Sequence, residues 1–183
     1  GYIDEELVQM ESKPLSFSQC PSMTNERYVY IASDNDEARI FINIMFSDQS
    51  ILTYFPNYGH SQYNTLIERL YFDKLYLDDI EYYQKSSLDW LIKHDYVTIN
   101  DDNAIMLVNR NRTRIYFDIY RNGVIATSKL SDNLKQEVDK LLNEGALVAE
   151  NTLLTRQESD YMDYYLNKSN FINGYDLRNK YLH

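Results

Sequence analysis

Ser86-Ser-Leu-Asp-Trp-Leu-Ile-Lys-His-Asp-Tyr-Val-Thr-Ile-Asn-Asp-Asp-Asn-Ala-Ile-Met-Leu-Val108 decides how the rest of the chain is read. Ser86 and Asp89 have capping-box spacing, and Leu88, Leu91 and Ile92 recur behind them at helical spacing. Tyr96–Ile99 and Ala104–Val108 have strand composition on either side of the polar turn Asn100–Asn103, which predicts a hairpin. Upstream, Asn64 predicts the cap of a helix carrying Leu66, Ile67, Leu70, Tyr71 and Leu75 on one face. Asp78 or Asp79 starts a second, short helix between the two.

The order then recurs. Thr113 predicts the cap of a helix through Tyr120, ended by Gly123, and Ser131 caps another through Glu144, ended by Gly145. Ala146–Ala149 and Thr152–Thr155 flank a tight turn at Glu150-Asn151. Residues 88–100 align with 138–150: Leu88/Val138, Leu91/Leu141, Ile92/Leu142 and Val97/Leu147 stay apolar, and Asp89/Asp139 matches. Three helices and a hairpin is the order of a winged helix. The chain therefore reads as two winged-helix-like units, 61–110 and 111–156, with an irregular helical domain as the alternative.

Residues 1–60 read as an α+β region. A short helix near Asp4–Met10 and a strand at Arg27–Ala32 are expected. Ala38–Phe46 is apolar almost throughout and fits a buried helix or a buried strand; the capping-box spacing of Asp34 and Glu37 favours helix. Ile51–Phe55 reads as a strand and Pro56–Gly59 as a turn. Residues 157–183 form a helical segment: one helix from Arg156 to about Asn167, with Tyr161, Met162, Tyr165 and Leu166 on one side, broken at Asn170–Gly174. The fold class is mainly α with small β elements (α+β).

Composition narrows function. Hydrophobic residues make up 44 %, enough for a core, and the 18 Tyr suit core rims and interfaces. A net charge of −10 argues against a protein that grips DNA with its whole surface. The expected third helices are no more basic: one offers Asp89, Lys93 and His94, the other Asp132, Lys135, Glu137, Asp139, Lys140 and Glu144. DNA is thus not an expected partner. One basic cluster stands out, Arg110, Arg112 and Arg114 joined by Arg121, with Asn109, Asn111 and Tyr116 between them. It reads either as a phosphate-holding nucleic-acid site or as a solvated connection between the two units. Cys20 is alone, which excludes an internal disulfide and fits a reducing, cytoplasmic setting. His60 and His94 have no partners at ligand or triad spacing, so no metal and no cofactor is expected. No apolar run approaches a membrane span, and Gly1-Tyr-Ile-Asp-Glu-Glu6 lacks a signal peptide's apolar stretch. Gly rather than Met at residue 1 fits a piece of a longer protein.

The end of the chain carries the one catalytic pattern. His183 near its ordinary pKa can act as general base or acid, and Arg178 can hold a scissile phosphate. A ribose 2′-hydroxyl would be the nucleophile, with no metal required. Arg178-Asn179-Lys180-Tyr181-Leu182-His183, preceded by Gly174-x-x-Leu177, resembles the signature of the HEPN superfamily: Arg, a few residues, then His, with a polar residue often after the Arg. In that family the motif lies on a late helix of a bundle. Two protomers usually bring two motifs together as a metal-independent ribonuclease, some members are inactive scaffolds, and many serve bacterial defence and toxin systems. The resemblance implies that Arg178 and His183 are catalytic and that Asn179 assists. The family helix continues past its His, whereas this sequence stops there. The expected function is a regulatory or scaffold region of a HEPN-type, defence-related protein, inactive as this segment. The expected partners are another protein or a second copy, with RNA at the motif. A protein-interaction module without catalysis and a nucleic-acid binder through Arg110–Arg121 are the alternatives.

Overall fold

The computed structural model describes residues 20–22, 27–54, 63–166 and 175. They belong to two units, Val29–Ala149 and a second made of Gly1–Tyr28 with Glu150–His183. Among the described residues the fold mixes six α-helices with two small sheets. No helix of these residues is long and apolar enough to cross a membrane.

Strand β1 (Tyr28–Ile31) leads into helix α1 (Asp36–Phe46). Asn35, not Asp34, caps α1: its side chain accepts from the Ala38 N–H at 2.8 Å. Ala38, Phe41, Met45 and Phe46 are buried at helical spacing, which settles 38–46 as helix. The strand expected at Ile51–Phe55 is instead a 3-10 turn, Ile51–Thr53. The Ser50 carbonyl accepts both the N–H and the hydroxyl of Thr53, at 3.0 and 2.6 Å, and Gln84 Nε2 donates to the carbonyls of Ile51 and Tyr54. Those carbonyls are thereby withdrawn from any sheet ladder.

Helix α2 (Leu66–Phe72) is capped by Thr65 rather than Asn64, while the Glu68 carboxylate accepts from the Asn64 N–H at 2.9 Å. It stops at Phe72, so Leu75 reaches the core from an extended segment and Tyr71 is 68 % exposed. Two 3-10 turns, Leu77–Asp79 and Tyr82–Gln84, stand where one short helix was expected. The second runs straight into α3 (Lys85–Lys93), placing Ser86 inside the helix rather than at its cap. The hairpin forms as expected: β2 (Val97–Ile99) pairs antiparallel with β3 (Ile105–Leu107), Val97 opposite Leu107. Tyr76 bridges Ala104 beside it.

Helix α4 (Arg110–Asn122) starts three residues before the expected Thr113. Asn109 caps it, accepting from the Arg112 N–H at 3.0 Å, and Thr113 lies within the helix, donating its hydroxyl to the Asn109 carbonyl. Gly123 ends it at φ 74°. Strand β4 (Ile125–Ala126), helix α5 (Asp132–Asn143) and strand β5 (Leu147–Glu150) follow. The expected second hairpin does not form. β1 takes its place, lying between β4 and β5 in the three-stranded sheet, and the Ala32 N–H donates to the Ala146 carbonyl at 3.1 Å. Val29 of β1 is fully buried, and Thr152 bridges Pro21 instead of extending this sheet.

The offset of 50 holds in backbone detail. Tyr96 N–H bonds the Leu91 carbonyl and Asp95 N–H that of Ile92; Ala146 and Gly145 do the same with Leu141 and Leu142. Both are Schellman ends, and both need a left-handed residue, Asp95 at φ 56° and Gly145 at φ 73°. Asp95→Gly is expected to raise unfolding stability by about 0.5 kcal/mol. Gly145→Ala is expected to cost about 1 kcal/mol although its Cβ meets nothing within 4 Å, because φ alone opposes it. Urea unfolding of both variants checks the pair.

In the other unit, Pro21 bridges Thr152, and the Leu153 N–H donates to the Cys20 carbonyl at 2.8 Å. Helix α6 (Arg156–Leu166) opens on a Thr155/Glu158 capping box. It buries Ser159 and Asp163, one turn apart, whereas Tyr161 is 61 % exposed. Tyr165 stacks on Tyr175 at 5.5 Å.

Candidate binding groove

Moving the start of α4 to Arg110 changes the meaning of the arginine cluster. At about 100° per residue, Arg110, Arg114, Phe117 and Arg121 fall within roughly 60° of one another, while Arg112 lies on the far side. The alternating run is therefore two different features.

Arg112 belongs to the interior. Its Nε donates to Glu137 Oε1 at 3.0 Å and its Nη2 to Glu144 Oε1 at 2.8 Å, joining α4 to α5. Asn109 Nδ2 adds a bond to Glu137 Oε1 at 3.0 Å, and Lys140 lies 3.4 Å from Oε2. The Glu137 side chain is only 5 % exposed. Burial pushes its carboxyl up, but the bonds from Arg112 and Asn109 and the neighbouring cations outweigh that and leave it below the ordinary carboxylate value. Burial likewise opposes the Arg112 charge, and the two glutamates more than restore it.

A second polar chain starts one helix away. The Tyr96 hydroxyl donates to Glu37 Oε1 at 2.9 Å, and His94 Nδ1 lies 3.3 Å from Glu37 Oε2 while its ring stacks on Trp90 at 4.3 Å. Burial first, then the charges of Tyr116 and Glu37 and the bond to Glu37, raises the Tyr96 hydroxyl far above its ordinary value. Tyr116 is raised to about 12, chiefly by burial. Both phenols stay protonated through the physiological range and act as neutral packing and hydrogen-bonding groups.

The opposite face of α4 is open. Arg110, Arg114 and Arg121 line a groove of about 610 Å³ between α2, α4 and the start of α5. Arg114 pairs with Asp118 at 3.0 Å, and the Arg121 guanidinium sits 5.8 Å from the Phe117 ring. Tyr71 and Phe72 of α2 form the other wall, 68 % and 73 % exposed.

Of the residues singled out from sequence, Arg110, Arg114 and Arg121 come together and Arg112 is withdrawn. Arg178, Asn179 and His183 lie outside the described residues, as does His60. Among the described residues no group of three or more His, Cys, Asp or Glu is placed to hold a metal ion. Tyr71, Phe72 and Phe117 were missed as groove residues. The i, i+4, i+7, i+11 spacing of Arg110, Arg114, Phe117 and Arg121 would have marked that face once Asn109 was taken as the cap. No protein-family model matches the chain, and no curated protein or solved structure is significantly similar to it.

Proposed function

We propose that Val29–Ala149 is a regulatory or scaffold region of a HEPN-type protein, working by binding, with any chemistry residing in Arg178, Asn179 and His183. The element order supports it. α2, the Tyr76 bridge, two turns, α3 and the β2–β3 hairpin follow the winged-helix order. α4, β4, a turn, α5 and β5 repeat the helical part of that order, with β1 beside β5 where the hairpin's second strand was expected.

The observation that carries the reading is where the charge lies. A DNA-binding winged helix presents cations on its third helix. Here α5 exposes Asp132, Asp139 and Glu144 against Lys135 and Lys140, whereas α3 exposes Asp89 between Lys85 and Lys93. The hairpin tip adds Asp101 and Asp102. The α5 face and the hairpin tip repel phosphate, which leaves them to scaffolding and protein contact.

A module for protein contact without catalysis is the second reading, favoured by Tyr54, Tyr82 and Tyr83, exposed at 62 %, 87 % and 44 % around the two turns that Gln84 ties together.

The test is RNA cleavage in EDTA by the full gene product. His183→Ala and Arg178→Ala are each expected to reduce cleavage by about a hundredfold or more. The charge reversal Lys135→Glu on α5 is expected to leave it intact. A wild-type product that does not cut ends the catalytic half and leaves the contact module. Tight binding of duplex DNA by this chain overturns the scaffold half.

A further inference from the structure

We propose that the groove between α2, α4 and the start of α5 binds a nucleotide, a phosphorylated nucleoside met either free or as one unit of a single strand. The proposal stands on the groove alone and needs neither Arg178 nor His183.

Size comes first. About 610 Å³ is the scale of a small-molecule site rather than of a flat contact surface. Charge comes second. The protein carries −10 overall, yet three arginines lie on this one face of α4. Arg110 and Arg114 are one turn apart, and guanidinium forks match the oxygens of a phosphate two at a time. Arg110 has no ion pair among the described residues, whereas Arg114 is already held in place by Asp118. The first turn of α5 opens on the same groove through Ser131 and Asn133, and its N–H groups add partial positive charge there.

The aromatic wall sets the other half of the ligand. Phe72 lies nearly parallel to Tyr63, at 6.4 Å and 10°, and edge-on to Tyr71 at 5.9 Å. Flat exposed rings beside arginines are what single bases stack on, whatever their sequence. An acidic peptide would satisfy the arginines, but its side chains need pockets, and this wall offers ring faces. The amides of Asn111 and Asn133 can both donate and accept, which suits a base edge. Glu68 also lines the groove, and as an acceptor it suits a ribose hydroxyl or an exocyclic amine, whereas Asp118 is taken up by Arg114.

The experiment measures equilibrium binding in EDTA with adenosine 5′-monophosphate, adenosine, inorganic phosphate, and a short fluorescein-labelled oligoadenylate. The monophosphate or the oligonucleotide is expected to bind, with affinity falling as salt rises. Adenosine and phosphate alone are each expected to bind at least about tenfold more weakly, since each offers only half the contacts. Arg110→Ala combined with Arg114→Ala, and Tyr71→Ala combined with Phe72→Ala, are each expected to weaken binding by about tenfold or more. All four residues are exposed, and the charge reversal Arg110→Glu keeps the test decisive if a double variant unfolds. Equal affinity per site for monophosphate and oligonucleotide assigns the free nucleotide; an oligonucleotide bound about tenfold or more tightly assigns the strand. The proposal is overturned if neither nucleotide ligand binds, if phosphate alone binds as well as the monophosphate, or if the wild type and Arg110→Glu bind alike. An acidic aromatic peptide captured in place of both also overturns it.

Discussion

Phe41→Ala is expected to destabilise Val29–Ala149 by about 4 kcal/mol, the largest effect of any single substitution considered for this chain. Phe41 is completely buried on α1. Its ring stacks on Tyr96 at 4.0 Å and approaches Tyr116 at 5.3 Å and the edge of Phe46 at 5.7 Å. Alanine would leave a cavity walled by rings from α1, α4 and the turn after α3. Those walls cannot close in readily, because the Tyr96 hydroxyl is anchored on Glu37. The cost therefore includes the cavity as well as the lost transfer free energy. Trp90, the only tryptophan, stacks on Tyr96 at 5.8 Å, so its fluorescence during urea unfolding reports this region directly. Phe41→Leu should recover roughly half the loss. A loss under about 1 kcal/mol for the alanine variant would mean that the ring cluster is not the centre of the core.

Glu137→Ala is expected to cost about 3 kcal/mol, by a different route. The carboxylate is nearly buried, ties Arg112 and Asn109 to α5 and pairs with Lys140 along the same helix. Removing it strands the Asn109 amide and half the Arg112 fork, with only Glu144 left as a carboxylate partner for that fork. Its pH signature separates this from simple loss of packing. The folded carboxyl titrates below its ordinary value of 4.5. Its contribution is therefore fully present above that value and is lost as pH falls through the lower folded value. Wild-type stability should drop over that acid interval, and the Glu137→Ala profile should be flatter there. Parallel profiles would show that Glu137 acts through its shape alone. Glu137→Gln should fall between the two, since its amide oxygen still accepts from Asn109 while the charge is gone.

How far the sequence could be read depends on whether a feature is written locally. The hairpin around Asn100–Asn103 and the helix end at Gly145 were legible, because turn chemistry and apolar spacing lie within a dozen residues. The Arg110–Arg121 face was half legible. Taking Thr113 as the cap put Arg110 and Arg112 in a loop, where alternation seemed to make them neighbours; starting at Asn109 puts them on opposite sides of a helix. Tyr71 misled for another reason: helical spacing gives the same signal whether the next element covers the face or leaves it open. The partner of β5 could not be read at all. Thr152–Thr155 was near and β1 distant, and local pattern carries no record of a strand arriving from the other end of the chain.

That arrangement governs when the molecule can become itself. β1 leaves the ribosome while β4 and β5, its neighbours on both sides, are still unmade. At roughly 5–20 residues per second, the stretch from Ile31 to Leu147 takes several seconds to tens of seconds to synthesise. During that interval Val29 and Tyr30, destined to be sealed inside, wait with both backbone edges unpaired. The first helical half can assemble meanwhile, but the second sheet closes only when Leu147 emerges. The sheet therefore has a last stitch, and its two threads are synthesised seconds apart.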